Sequence, residues 1–175
     1  MFLFTDSHLR SLYEDTVNTV FSGVKNYRGI ISFPAGEESK CREQRDKLED
    51  ELLKARAGRD SLILAMGGGV TGDLVGFVAA SLFRGIPLIQ LPTSLIAQVD
   101  SSIGGKVGIN HPGGKNLIGS FYQPERVFIH VPFLQTLSSE EFSNGMAEVI
   151  KYGVALDPDL WNWLEKDYEE ILARN

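Results

Sequence analysis

Short apolar runs alternate along this chain with longer stretches in which apolar residues recur every three or four positions, the pattern of strands alternating with helices. Strands are predicted at 2–4, 29–33, 61–66, 86–91 and 127–131, and helices at 7–21, 38–57, 70–83 and 138–156. Turn residues punctuate them: Pro34-Ala35-Gly36 closes the second strand, Gly67 the third and Pro92-Thr93-Ser94 the fourth. The helix over 38–57 places Cys41, Leu48, Leu52 and Ala55 on one stripe. The helix at 138–156 opens with a capping box, Ser138 with Glu141 three residues on. A last amphipathic helix is expected over 157–175, carrying Leu160, Trp161, Trp163, Leu164, Tyr168, Ile171 and Leu172. Two tryptophans need a surface, so this helix either folds back on the α/β layer or begins a second domain. No internal repeat is visible, which removes a solenoid. The alternation predicts an α/β fold with a largely parallel sheet flanked by helices.

Composition narrows the class. The chain has 175 residues, 43% hydrophobic and 23% charged, as in globular proteins rather than disordered or fibrous ones. That length allows one domain, or one and the start of another. A formal charge of −6 argues against nucleic acid and anionic membranes as partners. The single Cys41 cannot close an internal disulfide, which fits a reducing, cytoplasmic setting. No apolar run spans a bilayer: the uncharged stretch 85–99 is too short and is interrupted by Pro87, Gln90, Pro92 and Gln98. The opening Met-Phe-Leu-Phe meets Asp6 and His8 at once and is no signal peptide.

The chemistry concentrates in the middle. Twelve of the 18 glycines lie between Gly67 and Gly119, so backbone there must approach something closely. Gly67-Gly68-Gly69-Val70-Thr71-Gly72-Asp73 follows a predicted buried strand and opens a helix, the arrangement of a phosphate site. It is neither the usual dinucleotide fingerprint nor a Walker A loop, and a tight turn without a ligand also explains it. Gly72 and Gly76 share a helix face, suited to close packing. Asp73 either favours the helix dipole from the first turn or accepts hydrogen bonds from a sugar hydroxyl. Thr93 and Ser94, with Gln98, Asp100, Ser101 and Ser102 beyond, stand at a strand end where open α/β sheets bind ligands; an ordinary helix cap is the simpler reading of Thr93 and Ser94 alone.

A third feature is the glycine-rich segment Gly104-Gly105-Lys106 to Gly114-Lys115-Asn116, expected as a flexible loop. Arg84, Lys106 and Lys115 face the single acid Asp100 over 84–124, a local charge of +3 − 1 = +2 in an acidic chain. Solvated loop lysines would look the same, but the flanking Gly-Gly pairs and Asn116 favour a site for a small phosphorylated or carboxylated molecule. On the helix at 138–156, Glu148 and Lys151 share a face, either as a surface ion pair or as a metal ligand beside a substrate lysine. His8, His111 and His130 form no spaced pair, so the chain cannot complete a zinc site alone.

The runs GGGVTGDLVGFVAASLFRG, PTSLIAQVDSSIGGKVGINHPGGKNLIGSFYQP and GMAEVIKYG closely resemble the 3-dehydroquinate synthase family, with PAGEESK resembling its adenosine-side motif and TDSH its first nucleotide loop. The match runs in order over nearly the whole chain, but over only the family's nucleotide-binding half. The chain resembles a piece trimmed at both ends, without the family's opening strands and without most of its α-helical domain. The resemblance implies a Rossmann-like NAD-binding domain over 1–136 and the first helices of the helical domain over 137–175.

It also implies roles by position. Asp6, Glu37, Lys40, Gly68, Gly69, Val70, Asp73, Thr93, Ser94, Phe133 and Thr136 match positions that hold NAD. Lys106 and Lys115 stand at the boundary of nucleotide and substrate. Asp100, Asn116, Arg84 and Lys151 match substrate contacts, Arg84 with reach toward a neighbouring subunit's phosphate site. Glu148 matches the one metal ligand, for zinc or cobalt, that this half supplies. His8 departs from the family, which commonly has Asn there. The implied substrate is a phosphorylated keto sugar acid, 3-deoxy-D-arabino-heptulosonate 7-phosphate, and the implied assembly a homodimer. Competing readings are a related sugar-phosphate cyclase, a metal-dependent polyol dehydrogenase without need of the cationic segment, and a nucleotide-binding module without catalysis.

Overall fold

The computed structural model describes residues 1–174. Five strands, β1 (Phe2–Asp6), β2 (Ile30–Phe33), β3 (Ile63–Gly67), β4 (Leu88–Pro92) and β7 (Arg126–Val127), form one parallel sheet in the order β2-β1-β3-β4-β7. Helix α1 (Ser7–Phe21) links β1 to β2, α2 (Arg42–Lys54) links β2 to β3, and α3 (Gly69–Ser81) links β3 to β4. The alternation of side chains along each strand divides the core. Phe2, Phe4, Ile63, Ala65 and Leu88 meet α2 and α3 on one face, while Leu3, Leu64 and Met66 meet α1 on the other. The chain steps outward from β1 to β2, then returns past β1 to β3. This reversal between β1 and β3 is the point where an open parallel sheet leaves a crevice at its carboxyl edge.

The sequence of α3, Gly-Val-Thr-Gly-Asp-Leu-Val-Gly-Phe-Val-Ala-Ala-Ser, has almost no polar face. A helix apolar all round must be covered on both sides. The sheet covers one side. The other is covered by an antiparallel hairpin of β5 (Lys106–His111) and β6 (Gly114–Phe121), whose Ile109 is fully buried against the α3 core. This replaces the flexible loop expected over 104–116. The glycines that suggested a loop serve a close approach instead. Gly108 pairs with Gly119, and a Cβ on Gly119 would lie 2.1 Å from the Val107 carbonyl oxygen.

Other boundaries moved for identifiable reasons. The helix expected from 38 begins at Arg42, after a 3-10 turn at Glu37–Ser39 and an extended Cys41 that acts as cap rather than core. Lys40, with φ −82° and ψ 58°, breaks the helix because its side chain and carbonyl are held elsewhere. Ala55 is exposed, and Ala57 takes the buried position beyond Leu48 and Leu52. The strand expected over 127–131 is only Arg126–Val127. Pro92 ends β4 without an N–H to carry the ladder on, and the Gln98 amide donates instead to the carbonyls of Pro92 (3.2 Å) and His130 (3.3 Å).

Beyond the 3-10 segment Val131–Thr136 come α4 (Ser139–Ala155), α5 (Pro158–Lys166) and α6 (Tyr168–Ala173). Ser138 caps α4 as expected, its hydroxyl accepting from the Glu141 N–H at 3.2 Å. The single helix expected over 157–175 is two, capped at Asp157 and broken at Asp167. α5 folds back on α4 through buried Leu164, whereas Trp161 and Trp163 remain 39% and 52% exposed. α4 in turn meets the segment after β4, where a Cβ on Gly145 would stand 2.6 Å from the Leu95 Cβ.

The sandwiching of α3 is testable at Gly76, where a Cβ would meet the Val107 Cγ1 at 2.4 Å. Val107 is β-branched and cannot swing away. Gly76→Ala is expected to lower stability by about 2 kcal/mol in a urea melt, whereas the same change at exposed Gly23, with nothing within 4 Å, should leave the midpoint nearly unchanged.

Candidate functional site

The carboxyl edge of the sheet gathers most of the residues singled out in the sequence. Asp6 ends β1 and caps α1, accepting from the Leu9 N–H at 2.9 Å. Gly68 and Gly69 form the turn from β3 into α3, with Gly68 as its cap and Val70 in its first turn. Thr93 and Ser94 follow β4, the Thr93 N–H donating to the Gly67 carbonyl at 3.0 Å. Glu37 and Lys40 follow β2. Phe133 and Thr136 lie beyond β7 against α1, where the Tyr13 hydroxyl and the Thr136 hydroxyl are 2.8 Å apart and the Tyr13 and Phe133 rings meet edge to face.

The glycine turn has the form of an anion cradle. Among the described residues no side chain caps α3, so its first N–H groups face outward with the positive end of the helix dipole. A Cβ on Gly68 would approach the Ser94 hydroxyl to 3.2 Å. That hydroxyl is buried and has no hydrogen-bond partner among the described residues. An unfilled cradle beside an unpaired buried donor fits the pyrophosphate of a dinucleotide.

Asp73 sits one residue deeper in its helix than expected, because α3 begins at Gly69. It is in the second turn of α3, not the first, and its carboxylate receives the Lys40 ammonium at 2.5 Å. Lys40 is buried, its side chain only 5% exposed. Burial raises the Asp73 carboxyl above the usual carboxylate range, and the Lys40 hydrogen bond and charge oppose that rise.

A cavity of about 500 Å³ opens beside this pair, between α3, the Ala97–Ser101 turn and the hairpin. Asp73, Asp100, Lys106 and Asn116 line it, together with Ser101 and Gly104. Four residues named from separate stretches of sequence thus meet in one cleft. Lys115 lies next to Asn116 at the exposed end of the hairpin. Exposed Lys151 pairs with half-buried Glu148 on α4, and that carboxylate holds the Lys151 ammonium above its ordinary pKa. Among the described residues no three His, Cys, Asp or Glu side chains gather to hold a metal ion. Glu148 could donate one ligand, but this donor set does not make a metal site by itself.

Arg84 is elsewhere. It follows α3 at the opposite edge of the sheet, exposed, in a turn where Phe83 and Arg84 both have positive φ, 53° and 71°. Such backbone is uncommon for residues with a Cβ. Two residues escaped the sequence reading. Tyr152 donates from its hydroxyl to Asp100 and to the Val99 carbonyl, both at 3.3 Å, tying α4 to the cleft; burial and the nearby Asp100 carboxylate push its phenol up. Asn110 bonds to Glu37 and to Asn116. Helical spacing from Glu148 pointed near Tyr152; nothing in the sequence distinguished Asn110.

A family model described as 3-dehydroquinate synthase N-terminal matches residues 30–144. The chain belongs to that family. A 3-dehydroquinate synthase of Desulforamulus reducens is 50% identical over 170 residues, which cover 97% of this chain and 47% of the relative. The chain spans about half the length of the curated relatives it matches. Among solved structures, a 2-epi-5-epi-valiolone synthase from Streptomyces hygroscopicus, determined with NAD+ and Zn2+ bound, superposes with TM-score 0.92 at 30% identity, covering 98% of this chain and 48% of that one. A 2-deoxy-scyllo-inosose synthase complexed with carbaglucose-6-phosphate, NAD+ and Co2+ follows at TM-score 0.80 and 32% identity, covering 86% and 41%. The expected α/β fold and the family resemblance both hold. An iron-containing alcohol dehydrogenase, at 16% identity and TM-score 0.68, shares the fold alone.

The pair at the floor of the cleft makes an asymmetric prediction. Asp73→Ala leaves a buried ammonium uncompensated and should cost about 3 kcal/mol, whereas Lys40→Met, which keeps the aliphatic stem, should cost clearly less in the same urea titration. In Lys40→Met the Asp73 carboxyl should titrate at higher pH than in the wild type, because the group that opposes the burial effect is gone; NMR of the Asp73 side chain reads this directly.

Proposed function

We propose that this chain is the nucleotide-binding half of a 3-dehydroquinate synthase, which converts 3-deoxy-D-arabino-heptulosonate 7-phosphate to 3-dehydroquinate and phosphate with NAD and a divalent metal, zinc or cobalt. The observation that carries the reading is the cleft itself. An anion cradle at Gly68 and Gly69 adjoins a cavity that presents Lys106 and Asn116 beside Asp73 and Asp100. NAD, when bound, would supply reversible hydride acceptance with no net redox change.

The chain's own residues bind and orient. The first N–H groups of α3 and the Ser94 hydroxyl would hold the pyrophosphate, and Asp6, Glu37, Lys40, Asp73, Thr93, Phe133 and Thr136 would surround the rest of the nucleotide along the carboxyl edge. Lys106 and Lys115 would stand where nucleotide and substrate meet, giving positive charge to a phosphorylated acid. Asp100 and Asn116 would fix substrate hydroxyls, with Tyr152 holding Asp100 in place. Lys151 would contact the same substrate from α4, and Glu148 would contribute one ligand to a metal completed by groups beyond this chain. Residues 1–136 would act as the nucleotide domain and 137–175 as the start of the helical one.

Arg84 fits only an assembly. It stands at the far edge of the sheet from the cleft, so it reaches substrate if a second copy brings it to the neighbour's site, consistent with a homodimer. The lone Cys41 supports a reducing, cytoplasmic setting; no described helix is long and apolar enough to cross a membrane. A related sugar-phosphate cyclase is the second reading, favoured by the TM-score of 0.92 with the valiolone synthase.

The site is split between two domains, so this half is expected to bind NAD weakly and to release no phosphate from the heptulosonate phosphate. Calorimetric titration of NAD+ should give binding that Asp73→Asn abolishes while circular dichroism stays unchanged. A well-folded wild type without NAD binding, or phosphate release by this chain, would contradict the proposal.

A further inference from the structure

Asn110 touches both sides of the cleft. It interrupts the β5–β6 ladder: register runs regularly to Ile109↔Ile118, then shifts before His111↔Gly114. A residue released from its ladder at a bulge turns its groups elsewhere. The Asn110 backbone N–H donates to the Lys40 carbonyl at 2.7 Å. Its side-chain Nδ2 donates to the Glu37 carboxylate at 2.7 Å. Its Oδ1 accepts from the Asn116 N–H at 2.9 Å. Asn116 itself holds φ +57°, and the captured N–H fixes that turn.

These contacts form a continuous chain. The Asp73–Lys40 pair leads through the Lys40 carbonyl to Asn110, and from there to Glu37 on the nucleotide side and Asn116 on the hairpin side. Only an amide serves, since one end must donate to a carboxylate while the other accepts from a backbone N–H. An Asp would place a second carboxylate against Glu37, and a Ser is too short to reach both.

We propose that Asn110 is a positioning residue that couples the Glu37–Lys40 turn to Asn116, so that the nucleotide side and the substrate side of the cleft are ordered together. The inference rests on the reading of Glu37 and Lys40 as nucleotide contacts and Asn116 as a substrate contact, and it names a residue that binds neither ligand.

The test uses four variants of the chain, each checked by circular dichroism: Asn110→Ala, Asn110→Asp, Glu37→Gln, and Asn110→Asp with Glu37→Gln. Without any ligand, amide hydrogen exchange at Asn116 should be about tenfold faster in Asn110→Ala. It should also quicken in Asn110→Asp, where the acceptor for Asn116 is kept but Glu37 repels it. It should return toward the wild-type rate in the double variant, because the amide introduced at position 37 can donate to the carboxylate introduced at position 110. NAD+ affinity should be about tenfold weaker in Asn110→Asp than in wild type; the double variant is read by exchange alone, because it also alters the nucleotide contact Glu37. Unchanged Asn116 exchange in Asn110→Ala, or a double variant no better than Asn110→Asp, would overturn the coupling. Loss of NAD+ binding in the wild type would instead refute the nucleotide reading, and the ligand-free exchange rates would still decide the link.

Discussion

A helix with no polar face cannot lie on the outside of a protein, and the architecture of the cleft follows from that constraint on α3. The sheet buries one side of it through Leu74, Val75 and Val78, and the hairpin buries the other through Val107 and Ile109. Because the hairpin must lie over α3, its end comes beside the carboxyl edge of the sheet. The cleft is the gap left between these layers. Asp73, the one charged residue in α3, emerges in that gap and draws in the Lys40 ammonium.

The same packing sets the balance of charge. A buried ammonium and a largely buried carboxylate neutralise each other at the floor, while Lys106 stands at the wall with no ion pair among the described residues. The outward electrostatic character of the cleft therefore comes from Lys106, neighbouring Lys115 and the α3 dipole set against the exposed Asp100 carboxylate. That suits anions in an otherwise acidic chain. Floor and wall meet at Asn110, which gives a mechanical reason for the hairpin to carry a bulge at that position.

Much of this was legible in the sequence because periodicity reports burial. The parallel sheet, helix α1 over Ser7–Phe21 and the glycine turn after β3 all declare themselves through apolar spacing and punctuation. What misled was glycine used for approach rather than for flexibility: Gly108 and Gly119 resemble loop residues but pair two strands. Long-range contacts were invisible for a different reason. Lys40 with Asp73, Gln98 with His130, Tyr152 with Asp100 and Asn110 with Glu37 each join segments distant in sequence, and no local pattern encodes them. The motifs resembling the synthase family named the candidate residues, and the geometry gathers Asp73, Asp100, Lys106 and Asn116 in one cleft, with Arg84 on the far edge.

The central claim is that a dinucleotide lies along the carboxyl edge of the sheet with its pyrophosphate at the start of α3. Mapping backbone amide shifts of the isotope-labelled chain during NAD+ titration tests this most directly. The account predicts the largest changes at Gly68, Gly69 and Val70, with smaller ones at Ser94 and Lys40. Changes centred instead on α5 and α6, or on the Phe83–Arg84 turn, would contradict it.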